Sequence, residues 1–530
     1  MMIHYLAKLE ETIRNNWDAK ALCNFKGEEF TFGDLATNIR KFHIFFEKMG
    51  IKKGDKIAIC ASNSARWATT FLAINTYEAV VVPLLSEFLP SNVGTLTTHS
   101  ESVILFVDKA IWEKMDPESI PDVKCVINNA DYKILFSRDA AIDGMYASLD
   151  AELASRYPAG FSKDDVKLPV DNAKDLAVIN YTSGTTSAPK GVMLRYESLS
   201  ASIDFAIRKI PATNEDSIVS MLPMGHIYGM VFEFLYPLSC GVTVYYLGKA
   251  PAASTLLKAV GEVKPYIVIT VPLVMEKIYK TSIKPILSKT PMKILTSIPG
   301  ISSILYGVIR KKLLTTFGGK VSQFIMGGAA LNPDVEKAFR KIGLPYTVGY
   351  GMTEAAPLLA YAEPWNYVQG SCGMKVDSAD VRIDSADPEN VPGEIQAKGL
   401  NICSGYFNNP EASANAFTED GYLHTGDLGT MDKNGNITIR GRSKNMILSA
   451  NGQNIYPEEV EAVVNAQDFV TESVVVDRAT KLVALVYIDI EGVKKSGVDQ
   501  ATIDAIPASI MKNANKKLPN YSQITKVELV

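Results

Sequence analysis

Short apolar runs alternate with segments of helical periodicity along the first 350 residues of the chain. Residues 57–60 and 79–83 are continuous apolar runs of strand length, which predicts two buried strands. Residues 31–50 and 65–77 carry apolar side chains at helical spacing and precede those runs. This alternation is typical of a layered α/β domain with a largely parallel sheet, so we expect that fold class.

The pattern changes after about residue 368. Short strands there are separated by turns, such as the one at residues 387–390, and this predicts a β-rich subdomain. The chain has 530 residues, of which 47% are hydrophobic and 21% are charged. Such a chain is too long for one core, so we expect at least two domains.

The charge and the cysteine content indicate which partners and which cellular compartment to expect. The net charge of -4 gives no general attraction to nucleic acid, which is therefore not expected as a partner. The six cysteines are scattered, without a CxxC pair or a zinc-ligand spacing, and this favours a reduced, cytoplasmic protein. The first 17 residues mix charged and apolar positions, as an amphipathic helix does and a signal peptide does not.

The most distinctive polar stretch is residues 181–191, Tyr-Thr-Ser-Gly-Thr-Thr-Ser-Ala-Pro-Lys-Gly, directly after a predicted strand at 176–179. Five hydroxyl side chains, a glycine and the Lys190 ammonium predict a loop that surrounds a polyphosphate. It is not a Walker A loop, because Pro189 precedes the lysine and Gly191 follows it. A Ser/Thr-rich surface turn is the alternative interpretation.

Polar or small residues also follow two later predicted strands. His226 comes just after a strand that ends near residue 221, a position that faces ligand in open α/β sheets, although a core histidine is the alternative. Residues 327–330, Gly-Gly-Ala-Ala, would let a flat ring lie against the backbone, or would form a plain turn. Both places are candidates for a ligand site.

Two further loops combine aromatic, hydroxyl and carboxylate groups. In residues 350–354, Tyr350 is suited to stack on a base, Thr353 to reach a phosphate and Glu354 to hold magnesium. A helix start capped by Thr353 would explain this loop equally well. Asp427 is suited to accept hydrogen bonds from ribose hydroxyls, and an Asx-turn is the alternative.

Residues 294–309 contain no charged side chain and are followed by Arg310, Lys311 and Lys312. The segment is too short and too interrupted to span a bilayer. One hypothesis is a surface element, over residues 294–312, that enters the membrane interface or lines the entrance for an apolar substrate. A buried helix pair with basic ends is the alternative.

Four motifs in order resemble the acyl-adenylate-forming superfamily of acyl-CoA synthetases, adenylation domains and luciferases, and the resemblance covers nearly the whole chain. They are residues 182–190 (Thr-Ser-Gly-Thr-Thr-Ser-Ala-Pro-Lys), 350–354 (Tyr-Gly-Met-Thr-Glu), 422–427 (Tyr-Leu-His-Thr-Gly-Asp) and 441–444 (Gly-Arg-Ser-Lys). The resemblance implies a large N-terminal domain, residues 1–441, of layered α/β subdomains plus the β-rich one. It also implies a small mobile α+β C-terminal domain, residues 442–530, hinged at Lys444.

The resemblance implies a role for each motif residue. The loop from Thr182 would hold the ATP phosphates, Tyr350 would stack on adenine beside Gly328 and Ala329, and Asp427 with Arg442 would bind the ribose. His226 would lie by the acyl carboxylate, and Gly452 along pantetheine. The implied catalytic residues are Lys190, His226, Thr353 and Glu354. Those implied to bind ATP or CoA or to move with them are Thr182, Ser183, Gly184, Thr185, Thr186, Lys190, Gly328, Ala329, Tyr350, Gly351, Thr353, Asp427, Arg442, Lys444 and Gly452. Those implied for Mg²⁺ are Thr182 and Glu354.

The implied function is ATP-dependent activation of a fatty acid to acyl-AMP, followed by transfer to CoA. A long chain is favoured, because the apolar region at 277–316 resembles the insertion of long-chain members. A ligase that loads a carrier protein and a ligand-sensing pseudo-enzyme remain alternatives. A homodimer and peripheral contact with the inner face of a membrane are further expectations.

One departure from the family pattern lies at the C-terminus. Family members continue into a loop whose lysine bridges the carboxylate and the α-phosphate, whereas this sequence ends at Val530. Lys516, Lys517 and Lys526 lie upstream of that position and are not convincing substitutes. We expect the sequence to be a trimmed version of a longer protein; the alternative is a complete protein that is poor at the first half-reaction.

Overall fold

The computed structural model describes residues 2–182, 189–248, 253–298, 300–448, 454–478, 481–495 and 498–530. The predicted phosphate-loop residues Ser183, Gly184, Thr185 and Thr186, and the predicted pantetheine residue Gly452, lie outside the described residues. No helix among the described residues is long and apolar enough to cross a membrane.

The first 209 residues form most of the layered α/β part. Its helices are α1 (Tyr5–Asn15), α2 (Phe32–Lys48), α3 (Ala65–Thr76), α4 (Pro90–His99), α5 (Lys109–Trp112), α6 (Ala141–Ala147), α7 (Leu149–Arg156) and α8 (Tyr196–Lys209). Its strands are β1 (Lys20–Asn24), β2 (Glu29–Thr31), β3 (Lys56–Cys60), β4 (Val80–Leu84), β5 (Ser102–Val107), β6 (Cys125–Asn128), β7 (Ile134–Ser137), β8 (Leu176–Tyr181) and β9 (Gly191–Arg195). The predicted amphipathic helix at the N-terminus is therefore present as α1.

A seven-stranded sheet of order β7-β6-β5-β3-β4-β8-β9 organises this part of the described structure. Its inner pairs are parallel, and the edge pairs β6–β7 and β8–β9 are antiparallel. Ile57 and Ile59 pack into one core, whereas Ala58 and Cys60 pack into another on the opposite face. Burial of both faces explains why β3 is a continuous apolar run rather than an alternating one.

The middle of the chain adds a second layer. Its helices are α9 (Ile227–Gly229), α10 (Tyr236–Ser239), α11 (Ala253–Val263), α12 (Pro272–Ile278), α13 (Lys284–Leu287), α14 (Thr290–Ser297), α15 (Ile301–Thr316) and α16 (Pro333–Ile342). Its strands are β10 (Ser217–Ser220), β11 (Thr243–Tyr246), β12 (Ile267–Thr270), β13 (Gln323–Met326), β14 (Tyr346–Val348), β15 (Tyr350–Gly351) and β16 (Leu358–Tyr361). Strands β12, β13 and β14 are parallel neighbours, so their carboxyl ends meet at one edge.

The segment at 294–309 forms α14 and the first half of α15 rather than a buried helix pair. In α15 only Ile309 and Leu313 are buried, while Ile304 is 69% and Val308 60% exposed. The buried alternative is therefore wrong for this face of the segment, which presents apolar side chains to the solvent.

The β-rich subdomain is present where the turn pattern predicts it. It contains β17 (Met374–Lys375), β18 (Ala379–Asp384), β19 (Gly393–Gly399), α17 (Pro410–Ala414), β20 (Leu423–Met431) and β21 (Ile437–Arg442). Strands β18 to β21 form an antiparallel sheet in chain order. Because β21 ends at Arg442, the boundary predicted between residues 441 and 442 falls at the end of this sheet.

The last part of the chain has its own hydrophobic core. It contains β22 (Ile447–Leu448), β23 (Asn454–Ile455), α18 (Pro457–Asn465), β24 (Val470–Arg478), β25 (Lys481–Ile488), α19 (Ile490–Lys495), α20 (Gln500–Asn515) and β26 (Lys526–Leu529).

Lysine contacts join this last part to the middle layer. Lys280 Nζ donates to the carbonyl oxygens of Asn465 at 3.1 Å and Val470 at 3.2 Å, near the C-terminal end of α18. Ion pairs join Lys284 to Asp468 at 2.7 Å and Lys517 to Asp334 at 2.9 Å.

Candidate active site

An open cleft lies at the carboxyl ends of β12, β13 and β14. Ligands bind at this edge in open α/β sheets. Its walls include His226, Tyr228, Gly328, Tyr350 and Thr353. Four of these belong to loops that the sequence predicts as ligand-binding, so folding brings those loops together.

Most of the side chains that line the cleft are apolar. They include those of Phe205, Phe232, Ile269, Ile325 and Leu358. At Gly327 a Cβ atom would come within 3.1 Å of the Tyr228 ring, so a glycine keeps this wall open. The cleft is thus suited to an apolar ligand whose polar end lies near Tyr350.

Tyr350, Asp427 and Arg442 form one hydrogen-bonded cluster. The buried Tyr350 hydroxyl donates to Asp427 Oδ2 at 2.7 Å, and Arg442 Nε lies 3.1 Å from Asp427 Oδ1. The β20–β21 register places Asp427 opposite Arg442. Burial raises the pKa of Asp427, while the Tyr350 hydrogen bond and the Arg442 charge lower it. Asp427 lies within a strand, so the Asx-turn alternative is wrong.

Glu354 faces a tyrosine that the sequence analysis missed. Glu354 and Thr353 are buried in a short 3₁₀ turn that begins at Thr353, after the cap position Met352. Glu354 Oε1 accepts a hydrogen bond from the Tyr406 hydroxyl at 2.9 Å. Lys190 Nζ lies 5.2 Å from the centroid of the same ring. Tyr406 thus connects the two charged residues that carry the predicted phosphate and magnesium sites.

His226 is exposed to the cleft rather than buried in the core, so the core-histidine alternative is wrong. It occupies the cap position before α9. Protein atoms around the ring desolvate it and lower its pKa below the usual 6.5. The imidazole is therefore neutral at pH 7 and does not add a permanent positive charge to the cleft.

A buried carboxyl group supports the loop that carries His226. Glu233 lies in a π-helical turn, Met230–Leu235, and is fully buried. Its Oε2 accepts hydrogen bonds from Ser220 Oγ and from the backbone N–H groups of Met221 and Leu222, at 2.8 to 3.1 Å. Burial raises its pKa to about 8. The sequence analysis missed Glu233, although it is the single charge in residues 227–239.

The structure also describes the other predicted residues Thr182, Gly328, Ala329 and Lys444. The backbone N–H of Thr182 donates to the Lys190 carbonyl at 3.4 Å and so closes the base of the phosphate loop. Gly328 has a φ of 85° that favours glycine and lines the cleft, whereas Ala329 is exposed beside it. Lys444 is exposed in a turn after β21.

Gly351 also lines the cleft. A Cβ atom there would meet the Pro357 carbonyl oxygen, because the backbone of residues 350–351 passes close to the strand that follows. Glycine is therefore required at this point of the motif for packing, whatever its contact with ligand.

The fold and the cleft match a known class of nucleotide-dependent enzymes. The AMP-binding enzyme family matches residues 9–407, and the C-terminal domain of AMP-binding enzymes matches residues 444–530. The chain belongs to the AMP-binding enzyme family, and the resemblance found in the sequence is confirmed.

Related proteins agree with this assignment. Long-chain-fatty-acid–CoA ligase 3 of Saccharomyces cerevisiae is 30% identical over 462 residues, which cover 80% of this chain and 66% of the relative. Long-chain-fatty-acid–CoA ligase of Bacillus subtilis is 29% identical, over 86% of this chain and 80% of the relative. 4-Coumarate–CoA ligase 4 of Arabidopsis thaliana is 26% identical, over 94% and 83%. The predicted enzyme class, an AMP-forming acid–thiol ligase, is confirmed.

The predicted fold is confirmed as well. ATP-bound MatB from Rhodopseudomonas palustris superimposes with a TM-score of 0.76 at 22% identity, over 99% of this chain and 95% of that one. Anthranilate CoA ligase AuaEII gives a TM-score of 0.77 at 17% identity, over 99% and 93%.

Proposed function

We propose that this protein activates a long-chain fatty acid with ATP, releases pyrophosphate and transfers the acyl group from acyl-AMP to CoA. One observation carries the proposal: Tyr350 lines the apolar cleft, its hydroxyl donates to Asp427, and Asp427 pairs with Arg442. A fatty acid placed along the apolar walls would present its carboxylate to the nucleotide. The long-chain ligases among the relatives support a long acyl chain.

The nucleotide is proposed to occupy the polar end of the cleft. Tyr350 and Gly328 would contact the adenine, and Asp427 with Arg442 would bind the ribose hydroxyls, because a carboxylate accepts two such hydrogen bonds. Lys190, Thr182 and the loop between them would hold the phosphates. The roles of Ala329, Lys444 as a hinge and Gly452 beside pantetheine remain predictions from the resemblance.

Magnesium fits this site through one protein carboxylate. Among the described residues, no group of three or more His, Cys, Asp or Glu side chains could hold a metal ion. Mg²⁺ is commonly bound by one or two carboxylates together with substrate phosphates, and Glu354 has an oxygen besides the one that accepts from Tyr406. The bound ion would supply positive charge to the phosphates.

The chain's own residues supply part of what the first half-reaction requires. The acyl carboxylate and the α-phosphate are both anionic, so their approach must be offset by positive charge and hydrogen-bond donors. Lys190 supplies one such charge. His226 at the cleft wall would orient the carboxylate, and the apolar walls would exclude water.

The function is tested by pyrophosphate release with ATP, Mg²⁺ and acids from acetate to palmitate, each with and without CoA. We expect release that requires a long-chain acid and increases when CoA is added. Turnover with an acyl carrier protein but not with CoA would favour carrier loading. Nucleotide binding without release for any acid would point either to the ligand-sensing alternative or to the lack of the family's C-terminal lysine, and continued absence of release after a longer C-terminus is restored would contradict the proposal.

We further propose that α14 and α15 contact the surface of a membrane containing anionic lipid while the protein remains peripheral and cytoplasmic. Ile298, Ile301, Ile304 and Val308 are 39 to 69% exposed, and Lys311 and Lys312 follow them. Apolar side chains next to basic ones suit the membrane interface. A homodimer remains a prediction from the resemblance.

Co-sedimentation with anionic vesicles at low salt tests this surface. Replacing Ile304 and Val308 by aspartate is expected to abolish sedimentation. The substitutions remove apolar contact with the membrane, and the new negative charges are repelled by the anionic lipid. Val391→Asp is the matched control, because Val391 is 55% exposed in the β-rich subdomain. Failure of the wild-type protein to sediment would contradict the membrane proposal alone.

A further inference from the structure

Tyr406 lies between two charged groups of the proposed ATP site. Its hydroxyl donates to Glu354 Oε1 at 2.9 Å, and its ring centroid is 5.2 Å from Lys190 Nζ. Neither Lys190 nor Glu354 forms an ion pair with any residue that the structure describes. The tyrosine therefore provides a contact for each of two opposite charges that do not contact each other.

The backbone around Tyr406 is fixed from two sides. On one side, Met193 donates its N–H to the Gly405 carbonyl at 3.0 Å and Phe407 donates to the Gly191 carbonyl at 2.8 Å. Both bonds attach the segment to β9, the strand that follows the phosphate loop. On the other side, the Cys403 N–H donates to the Glu354 carbonyl at 2.8 Å. Residues 403–407 thus join β9 to the turn that carries Glu354.

Ser413, in α17, adds a further contact to the Tyr406 backbone. The Tyr406 N–H donates to Ser413 Oγ at 2.8 Å, and Ser413 Oγ donates in turn to the Asn409 carbonyl at 2.7 Å, at the start of α17. Burial raises the pKa of Tyr406 well above its usual 10, so the hydroxyl keeps its proton. It acts only as a donor toward Glu354.

A tyrosine placed between Lys190 and Glu354 can keep the two side chains from forming a direct ion pair. A lysine and a glutamate that border the same site attract each other, and a direct ion pair would remove both from phosphate and metal. A tyrosine hydroxyl donates one hydrogen bond and so engages one carboxylate oxygen. An ammonium group near an aromatic ring is stabilised without losing its charge.

We propose that Tyr406 is a positioning residue for adenylation, which orients Glu354 through its hydroxyl and Lys190 through its ring. This inference rests on the proposed function, because it assigns Glu354 to the metal and Lys190 to the phosphates. It predicts that loss of the hydroxyl weakens metal binding, whereas loss of the ring weakens ATP binding.

Two substitutions separate the hydroxyl from the ring. Tyr406→Phe removes the hydrogen bond to Glu354 and keeps the ring, whereas Tyr406→Leu removes both. The matched control is Tyr367→Phe, since Tyr367 likewise donates to a glutamate, Glu336, at 2.9 Å outside the cleft; Tyr367 is buried, whereas Tyr406 is partly buried. The readouts are binding of ATP without metal, by calorimetry, and binding of Mn²⁺ to the enzyme–ATP complex, by electron paramagnetic resonance.

For Tyr406→Phe we expect the Kd of Mn²⁺ to rise about tenfold, the usual effect of losing a hydrogen bond to a charged group. ATP binding without metal should stay within about twofold of the wild type, because the ring remains near Lys190. For Tyr406→Leu we expect the same rise for Mn²⁺ and, in addition, ATP binding weakened about two- to fivefold. The control should match the wild type in both measurements.

An unchanged Kd of Mn²⁺ in Tyr406→Phe would overturn the inference, as would equal weakening in the Tyr367→Phe control. If Tyr406→Leu does not fold, Tyr406→Phe alone decides. The binding measurements need no acid substrate. A wild-type protein that binds Mn²⁺ and ATP but releases no pyrophosphate would contradict the proposed function and leave the Tyr406 comparison intact. A wild-type protein that binds neither would overturn both.

Discussion

Replacing Glu354 by glutamine is expected to lower the rate of pyrophosphate release about 100-fold, because a metal ion supplies several kcal/mol of charge stabilisation and each 1.4 kcal/mol changes a rate tenfold. Glutamine has the same shape and still accepts from the Tyr406 hydroxyl, which donates to Oε1 in the wild type. The substitution therefore removes the negative charge and leaves the packing. Pyrophosphate release at saturating ATP and palmitate, over a series of Mg²⁺ concentrations, measures the effect.

Glu336→Gln is the matched control for this experiment. Glu336 is 3% exposed and accepts from the Tyr367 hydroxyl at 2.9 Å, so it repeats the Glu354–Tyr406 pair outside the cleft. Its replacement should leave activity within about twofold of the wild type, while thermal unfolding reports any shared loss of stability. Full activity in Glu354→Gln would remove this residue from the proposed metal site.

Replacing Asp427 by alanine is expected to raise the KM for ATP about 100-fold, because each hydrogen bond to a charged group contributes roughly 1.5–3 kcal/mol. The substitution removes the proposed acceptor for the ribose hydroxyls. It also leaves the buried Tyr350 hydroxyl without its 2.7 Å partner and frees Arg442. Asp427→Asn keeps the shape and separates the loss of charge from the loss of packing.

Asp420→Ala provides the comparison for Asp427. Asp420 also pairs with an arginine, Arg382, at 2.6 Å, but both side chains are largely exposed. Exposed ion pairs contribute little, so the KM for ATP should change by less than about twofold. The measurement is initial-rate kinetics with ATP varied, and a similar KM for Asp427→Ala and the wild type would contradict the assigned ribose site.

The sequence predicts the strands of this fold well where both faces are buried. Residues 57–60 and 79–83 are continuous apolar runs, and they form adjacent central strands. Turns and periodicity also predict α1 and the β-rich subdomain. The exposed face of α14 and α15 was left open between two interpretations, because an uncharged segment has the same composition whether it lies in a core or on a surface.

Residues of the candidate site that directly follow a strand could be predicted from the sequence. His226, Gly328 and Tyr350 each follow a predicted strand, and the parallel order of β12, β13 and β14 brings two of those loops to one edge. Tyr406 was missed because its contacts are long-range. Its partners Lys190 and Glu354 are 216 and 52 positions away in the sequence, and no local pattern marks it.

The lysine contacts between the middle layer and the last part of the chain, together with the Asn332 side-chain bond to the Ala462 carbonyl, contribute to the attachment of the two. Lys284 and Lys517 meet carboxylates at the surface, and each such pair contributes at most about 1 kcal/mol. Lys280 adds hydrogen bonds to two carbonyl oxygens. These contacts fix the orientation of the last part relative to the middle layer, but they contribute little to the free energy that holds the two together. The resemblance implies that the last part of the chain is mobile, and we expect that a substrate whose affinities for two arrangements differ by a similar amount would be sufficient to select between them.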